Sequence, residues 1–461
     1  MKVQFCGAAQ QVTGSSHLIV LDDGYKILLD CGLYQGSDDD MVNFNQKFLF
    51  NPADIDCLII SHAHIDHTGR VPQLIKEGFT GQIFCTHATR SIASLMLMDS
   101  AKIQQSDAAY QSKKQLRRIE PLYTTRDAKR ALELMQGLSF ERWHYVTDNV
   151  RVFFRDAGHI LGSASVSLEI KENGTTKRFG FTGDIGRPFR PILKDPLPMP
   201  EMDYLICEST YGHKEHKSAP AELDELLAVI QETCVKNQGK LIIPAFSVGR
   251  TQEIVYMLDQ LSNEKSLPRI PIYVDSPLAV NATDIFRMHP ECFDDELLEY
   301  IEFDPNPFGF QDLIYVQSVS QSKHINKRKG PAIIISSSGM ITAGRIRHHI
   351  FNNIENPNNG VLIVGYCAPQ TVGGQIRDGK SHIRLFGQKL QVKAKVHIMD
   401  SFSAHADRTE IYEFIKNQRP NLKQLFLVHG TLGRQRKFKN YLAERGFENV
   451  AIPDLGDIFE M

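Results

Sequence analysis

Between Ser61 and His67 the chain reads Ser-His-Ala-His-Ile-Asp-His, so four metal-capable side chains, His62, His64, Asp66 and His67, fall within six residues. Imidazole and carboxylate donors without thiolate suit Zn²⁺ first and Mn²⁺ second. The apolar run Cys57-Leu58-Ile59-Ile60 just before them reads as a buried strand. In the extended segment leaving that strand, His62 and His64 are two apart and share a side. Asp66 and His67 lie where Thr68-Gly69-Arg70 turns into a helical pattern. A lone histidine on a loop would suggest only a solvated surface residue, whereas this spacing lets one short loop feed two adjacent metals.

Further candidates recur at the ends of strand-like runs. Asp30 follows Tyr25-Lys26-Ile27-Leu28-Leu29, His159 follows Val150 to Phe154 and a glycine turn, and Asp184 follows Phe179-Gly180-Phe181-Thr182-Gly183. Glu208 ends the run from Tyr204, and His429 ends Leu425-Phe426-Leu427-Val428. Residues at strand ends on one edge of a sheet converge in space, so His159, Asp184 and His429 become candidates to complete the site. Asp30 has two readings of equal standing, a turn cap or a carboxylate that fixes the tautomer of a ligating histidine.

One arrangement satisfies these positions. His62, His64 and His159 hold one ion, Asp66, His67 and His429 hold a second, and Asp184 bridges them. The positive charge of two such ions exceeds the negative charge of two aspartates, which leaves room for a hydroxide and an anionic substrate. A two-metal centre lowers the pKa of bound water and stabilises the attacking and leaving oxygens of an in-line displacement, as phosphodiester hydrolysis requires. His405, in Ser401-Phe402-Ser403-Ala404-His405-Ala406-Asp407, is the candidate acid for the leaving oxygen, and Glu208 the carboxylate that orients it. The catalytic set is therefore Asp66, Asp184, Glu208 and His405.

The elements that position these residues fall into three textures. The first 60 residues are β-rich, and helical spacing follows from Thr89 to Lys114 and from Thr125 to Gly137. A proline-rich connection runs from Pro188 to Pro200. From Tyr204 onward strands and helices alternate, which predicts a mainly parallel sheet with its loops on a ligand-facing edge. Serine and glycine in those loops, with Arg250 and Arg345 nearby, suit either a phosphate-bearing ligand or ordinary tight turns. No loop carries the Walker A pattern, so a nucleoside triphosphate site is not expected. The last 80 residues return to β-rich texture. The basic runs from Lys113 to Arg118, Lys323 to Lys329 and Arg434 to Lys439 read first as solvated faces and second as phosphate contacts.

Composition narrows the class. At 461 residues, 42% apolar and 23% charged, the chain should hold two or three soluble domains. No stretch approaches the ~20 apolar residues of a membrane span, and Met1 to Ala8 reads as a first strand, so a cytoplasmic protein without a membrane partner is expected. Eight scattered cysteines without a Cys-x-x-Cys pair read as reduced core residues. The net charge of -2 supplies no overall basic field, so attraction for an anion must be local.

These motifs, taken together, resemble the metallo-β-lactamase superfamily and within it the β-CASP branch of nucleic-acid-cutting enzymes, over nearly the whole chain. His62-Ala63-His64-Ile65-Asp66-His67 resembles the superfamily hallmark, and Asp30, His159 and Asp184 match its other motifs in order. Glu208, His405 and His429 match the three that mark the β-CASP branch, and a histidine at 429 is similar to its RNA-cutting members, among them polyadenylation-factor endonucleases.

The resemblance implies an α/β fold, a metallo-β-lactamase αββα sandwich interrupted by a β-CASP α/β domain of mainly parallel sheet. The expected boundaries are 1–206, 207–394 and 395–461, the last segment completing the first domain. It implies two Zn²⁺, Ser403 gripping a substrate phosphate, and cleavage of single-stranded RNA in the cleft between the domains, leaving 5′-phosphate and 3′-hydroxyl ends. Endonucleolytic and 5′-exonucleolytic modes are equally compatible, as is a homodimer. The alternatives are a metal hydrolase of DNA or of a small ester or lactone, and a non-catalytic RNA-processing subunit.

Overall fold

The computed structural model describes residues 1–36, 44–216, 222–399 and 404–461. The chain divides into two compact units, one made of residues 1–215 and 404–461 and the other of 216–403.

Two seven-stranded sheets form the first unit. In the first sheet the strands run in the order Ile458–Glu460, Lys2–Phe5, His17–Val20, Lys26–Leu29, Cys57–Ile59, Gln82–Thr86, Met135–Leu138. The strands from Lys26–Leu29 to Met135–Leu138 are parallel to one another. In the second sheet the order is Val450–Ala451, Gln424–Val428, Tyr204–Glu208, Thr175–Phe181, Ala164–Glu172, Val150–Asp156, Trp143–Tyr145. Its first four strands are parallel.

Alternation along each strand decides what lies between the sheets. Phe5, Ile19, Ile27, Leu29 and Ile59 from the first sheet meet Val152, Phe154, Val166, Phe179, Phe181, Ile206 and Phe426 from the second in one buried cluster. On the outer face of the second sheet, Leu205, Cys207, Leu425 and Leu427 pack with Ile411, Phe414, Phe438 and Leu442 of the helices Arg408–Ile415 and Leu432–Ala443. Burying aliphatic and aromatic side chains at about 1.5–3 kcal/mol each makes this interior the rigid base of the loops above it. All eight cysteines are buried and outside disulfides, as their apolar surroundings suggested.

The second unit holds a six-stranded sheet ordered Leu313–Tyr315, Ile272–Val274, Ala332–Ser336, Lys240–Pro244, Gly360–Val364, Lys395–Met399. Every pairing in it is parallel. Its central strands Ala332–Ser336, Lys240–Pro244 and Gly360–Val364 are buried along their whole length, as parallel strands commonly are.

Three features depart from the expectations. Helix Thr125–Leu134 stops early, and Met135–Leu138 forms a strand beside Gln82–Thr86. Strand Tyr204–Glu208 lies between Thr175–Phe181 and Gln424–Val428, so Glu208 belongs to the first unit. Strand Lys395–Met399 pairs with Gly360–Val364, so it belongs to the second. The expected boundaries at 206/207 and 394/395 thus stand at 215/216 and 403/404 in the structure. A strand's own sequence carries its periodicity but not the sheet it will join. Among the described residues, no helix is long and apolar enough to cross a membrane.

Candidate metal centre

The candidate site gathers at the carboxyl ends of the parallel strands of both sheets. Lys26–Leu29 runs into Asp30, Cys57–Ile59 into the His62–His67 loop, Thr175–Phe181 toward Asp184, Tyr204–Glu208 ends on Glu208, and Gln424–Val428 runs into His429. Parallel register aligns these ends, with Leu29 opposite Ile59, Phe181 opposite Ile206 and Glu208 opposite Val428. Asp30 and His429 both sit in left-handed backbone, with φ of 55° and 54°, which turns each side chain off its strand and back toward the site.

Three groups of side chains place their donor atoms within 4.8 Å of one another: His62, His64, His159 and Asp184; Asp66, His67 and His429; Asp184, Glu208 and His405. In the first group His64 Nδ1 lies 3.1 Å from His62 Nε2 and 3.2 Å from His159 Nε2. Both Nε2 atoms are 3.5 Å from Asp184 Oδ2. In the second, His67 Nε2 and His429 Nε2 are 3.2 Å apart, and they lie 3.3 and 3.6 Å from Asp184 Oδ1. The two oxygens of one carboxylate therefore face two different histidine groups.

These distances fit metal ions. Donors about 2.0–2.1 Å from a tetrahedral ion stand roughly 3.3 Å from each other, close to the separations observed. Asp184 Oδ1 is buried with no hydrogen-bond partner, an arrangement that a cation would satisfy. Burial, reinforced by the neighbouring imidazoles, holds His62 and His159 well below the ordinary histidine range, in the neutral form that a metal needs.

For His67, His62, His159 and His429 the other ring nitrogen has a partner that fixes the tautomer. His67 Nδ1 lies 2.6 Å from Asp30 Oδ2, and Asp30 is itself held by the Ser61 N–H and hydroxyl, both donating at 2.8 Å. His62 Nδ1 meets Ser61 Oγ at 3.1 Å, and His159 Nδ1 donates to the Ala404 carbonyl at 3.2 Å. His429 Nδ1 meets Thr210 Oγ1 at 2.9 Å. Each ligand-side nitrogen is thereby left facing inward.

The third group provides acid–base chemistry. Glu208 Oε1 accepts from the Ile185 N–H at 2.7 Å and lies 3.2 Å from His405 Nδ1. Burial opposes a charge on His405, but the carboxylates of Glu208 and Asp184 outweigh it and push its pKa up to about 9. Nδ1 is thus the ring nitrogen of His405 turned to Glu208.

Comparison with known proteins settles the family. Profiles described as metallo-beta-lactamase superfamily, Beta-Casp domain and Zn-dependent metallo-hydrolase RNA specificity domain match residues 10–217, 251–376 and 389–453. The chain is 32% identical to Ribonuclease TTHA0252 of Thermus thermophilus over 457 residues, 99% of each protein. The chain belongs to the β-CASP ribonuclease family of the metallo-β-lactamase superfamily. It is also 32% identical to cleavage and polyadenylation specificity factor 73 of Drosophila melanogaster, covering 99% of this chain and 63% of that protein. Transcription termination factor FttA of Methanocaldococcus jannaschii is 29% identical over 93% of this chain and 67% of its own length.

For a β-CASP protein the family implies dependence on a metal ion, and the clustered donors are a candidate place for it. Every expected ligand lies in one of the three groups, Asp30 lies behind His67, and Ser403 falls outside the described residues. Two contributors escaped the sequence reading. Ser61 and Thr210 orient His62 and His429, and their one signal was a hydroxyl immediately before the histidine loop and two residues after Glu208.

Proposed function

We propose that the chain is a two-zinc ribonuclease that hydrolyses phosphodiester bonds of single-stranded RNA, leaving 5′-phosphate and 3′-hydroxyl ends, with Mn²⁺ as the alternative ion. The observation that carries this reading is the division of the Asp184 oxygens between two histidine groups. The name Ribonuclease borne by a relative of nearly equal length supports RNA as the substrate.

His62, His64, His159 and Asp184 would hold one ion, and Asp66, His67, His429 and Asp184 the other. Bound there, two divalent ions would lower the pKa of water toward ~7 and neutralise charge on the attacking and leaving oxygens of the displacement. The chain's own task is then to supply a proton to the leaving 3′ oxygen. His405 holds that proton on Nε2, while Glu208, anchored by the Ile185 N–H, keeps Nδ1 engaged and the ring oriented. Buried carboxylates on the Nδ1 side favour the imidazolium form before transfer.

The test uses the full chain with labelled single-stranded RNA, single-stranded DNA and a chromogenic ester, before and after chelation. RNA cleavage should disappear on chelation and return with Zn²⁺, and elemental analysis should find two zinc ions per chain. Cleavage that persists in metal-free protein, or a preference for DNA or the ester, would overturn the reading.

A further inference from the structure

Five residues after Asp184, Phe189 is 91% exposed. Its backbone is left-handed, with φ of 58°, and Ile192, three residues on, is left-handed as well at 81°. Bulky and β-branched side chains avoid that region at a cost of order 1 kcal/mol each, so the surrounding contacts must hold the loop there.

Those contacts are present. The Phe189 N–H donates to Asp195 Oδ1 at 2.7 Å, and the Ile192 side chain is buried. Arg187 Nε reaches Glu410 Oε1 at 3.2 Å, and Glu410 Oε2 in turn accepts the Asp407 N–H at 2.8 Å, two residues beyond His405. The same loop closes over the His159 turn, because a Cβ at Gly158 would stand only 2.8 Å from the Lys194 carbonyl and 2.9 Å from Pro196 Cδ. The loop is therefore tied on one side to the turn carrying His159 and on the other to the segment carrying His405. Five residues of chain span at most ~17 Å even when fully extended, which bounds how far the Phe189 backbone can stand from Asp184.

We propose that Phe189 is a substrate-positioning residue, a fixed aromatic platform on which one base of the RNA stacks beside the cleaved phosphodiester. The inference rests on the proposed RNA hydrolysis. A base has a flat π-face whatever its identity, so stacking on Phe189 grips the strand without selecting sequence, and the rigid loop spares the cost of ordering the ring on binding. A small or polar residue would sit in left-handed backbone with less strain, and its absence here matches a ring held outward for a partner.

The experiment compares the full-length parent with Phe189→Gly, Phe189→Leu and Phe189→Trp. Glycine relieves the left-handed backbone, so its melting temperature should be no lower than that of the parent. Its KM for single-stranded RNA should nevertheless rise about ten-fold, as for the loss of one stacked base, with hydrolysis of a minimal dinucleotide ester unchanged. Leucine should behave like glycine, and tryptophan should restore the KM. In a series of RNAs each carrying one abasic position, the parent should show a single position whose loss costs about ten-fold, and Phe189→Gly should be insensitive there. Parent-like KM and an unchanged abasic profile in Phe189→Gly, while the parent cuts RNA, would overturn the platform alone. A parent that neither binds nor cuts RNA would overturn both the platform and the function beneath it.

Discussion

The Nδ1 atom of His67 and the Oδ2 atom of Asp30 are 2.6 Å apart, although 37 residues separate them in the chain. Asp30 is fully buried and accepts three further contacts, the Ser61 N–H and hydroxyl at 2.8 Å and the Ser15 hydroxyl at 3.5 Å. It acts as an anchor that sets the His67 ring with Nε2 directed at Asp184 and His429. Replacing it with asparagine keeps a residue that tolerates φ of 55° but offers an amide in place of a pure acceptor. Asp30→Asn should fold normally and bind the second metal about 10–100-fold more weakly, measured by competition with a zinc chelator. Parent-like affinity would remove Asp30 from the metal site.

His405 and Glu208 should separate chemistry from metal binding. His405→Ala should lower kcat by about 10²–10⁴ with metal content unchanged, because its Nδ1 lies nearer to Glu208 Oε1, at 3.2 Å, than to Asp184 Oδ2, at 3.9 Å. Single-turnover cleavage and elemental analysis on one preparation check both halves. Loss of metal in this variant would make His405 a ligand instead of an acid.

Asp184 faces both histidine groups, Oδ2 toward His62 and His159 and Oδ1 toward His67 and His429, so Asp184→Ala should affect both ions, whereas His64→Ala should affect only the first. The expected stoichiometry is fewer than one tightly held zinc for Asp184→Ala and about one for His64→Ala, with activity lost in both. Equal metal loss in the two variants would contradict the bridging role.

Asp156 gives a pH dependence of stability. Burial pushes its carboxyl up to about 7, with the Gly158 N–H opposing that shift. An unfolded chain releases this proton near ~3.9, so between roughly pH 4 and 7 the folded state binds more protons and stability falls as pH rises. Asp156→Asn keeps an oxygen for the Gly158 N–H and never ionises. Thermal unfolding should show it equal to the parent near pH 4 and roughly 2–4 kcal/mol more stable near pH 8. A constant difference at all pH values would mean that Asp156 does not titrate in this window.

Much of the site was legible before any coordinates because its donors occur in short local patterns. His62, His64, Asp66 and His67 share one loop, and Asp30, His159, Asp184, Glu208 and His429 all follow apolar runs at turns. Strand ends in a parallel arrangement converge on one edge, so residue type and position pointed to a common centre. The alternating texture from Tyr204 likewise announced a parallel sheet, and every pairing in the second unit's large sheet is parallel.

Tertiary structure decided what depends on partners distant in sequence. Met135–Leu138 continues a helical pattern locally, yet pairing with Gln82–Thr86 draws it into a sheet. Lys395–Met399 reads as a strand wherever it is placed, and only its pairing with Gly360–Val364 assigns it to the second unit. The split of the Asp184 oxygens, the turn of His429 onto Thr210 and the outward ring of Phe189 depend on contacts across tens to hundreds of residues. Local sequence carries ligand type and strand period, because both arise from neighbouring residues. Which atom faces which ion, and which aromatic stays in solvent, are set by packing between segments that meet only in the folded chain.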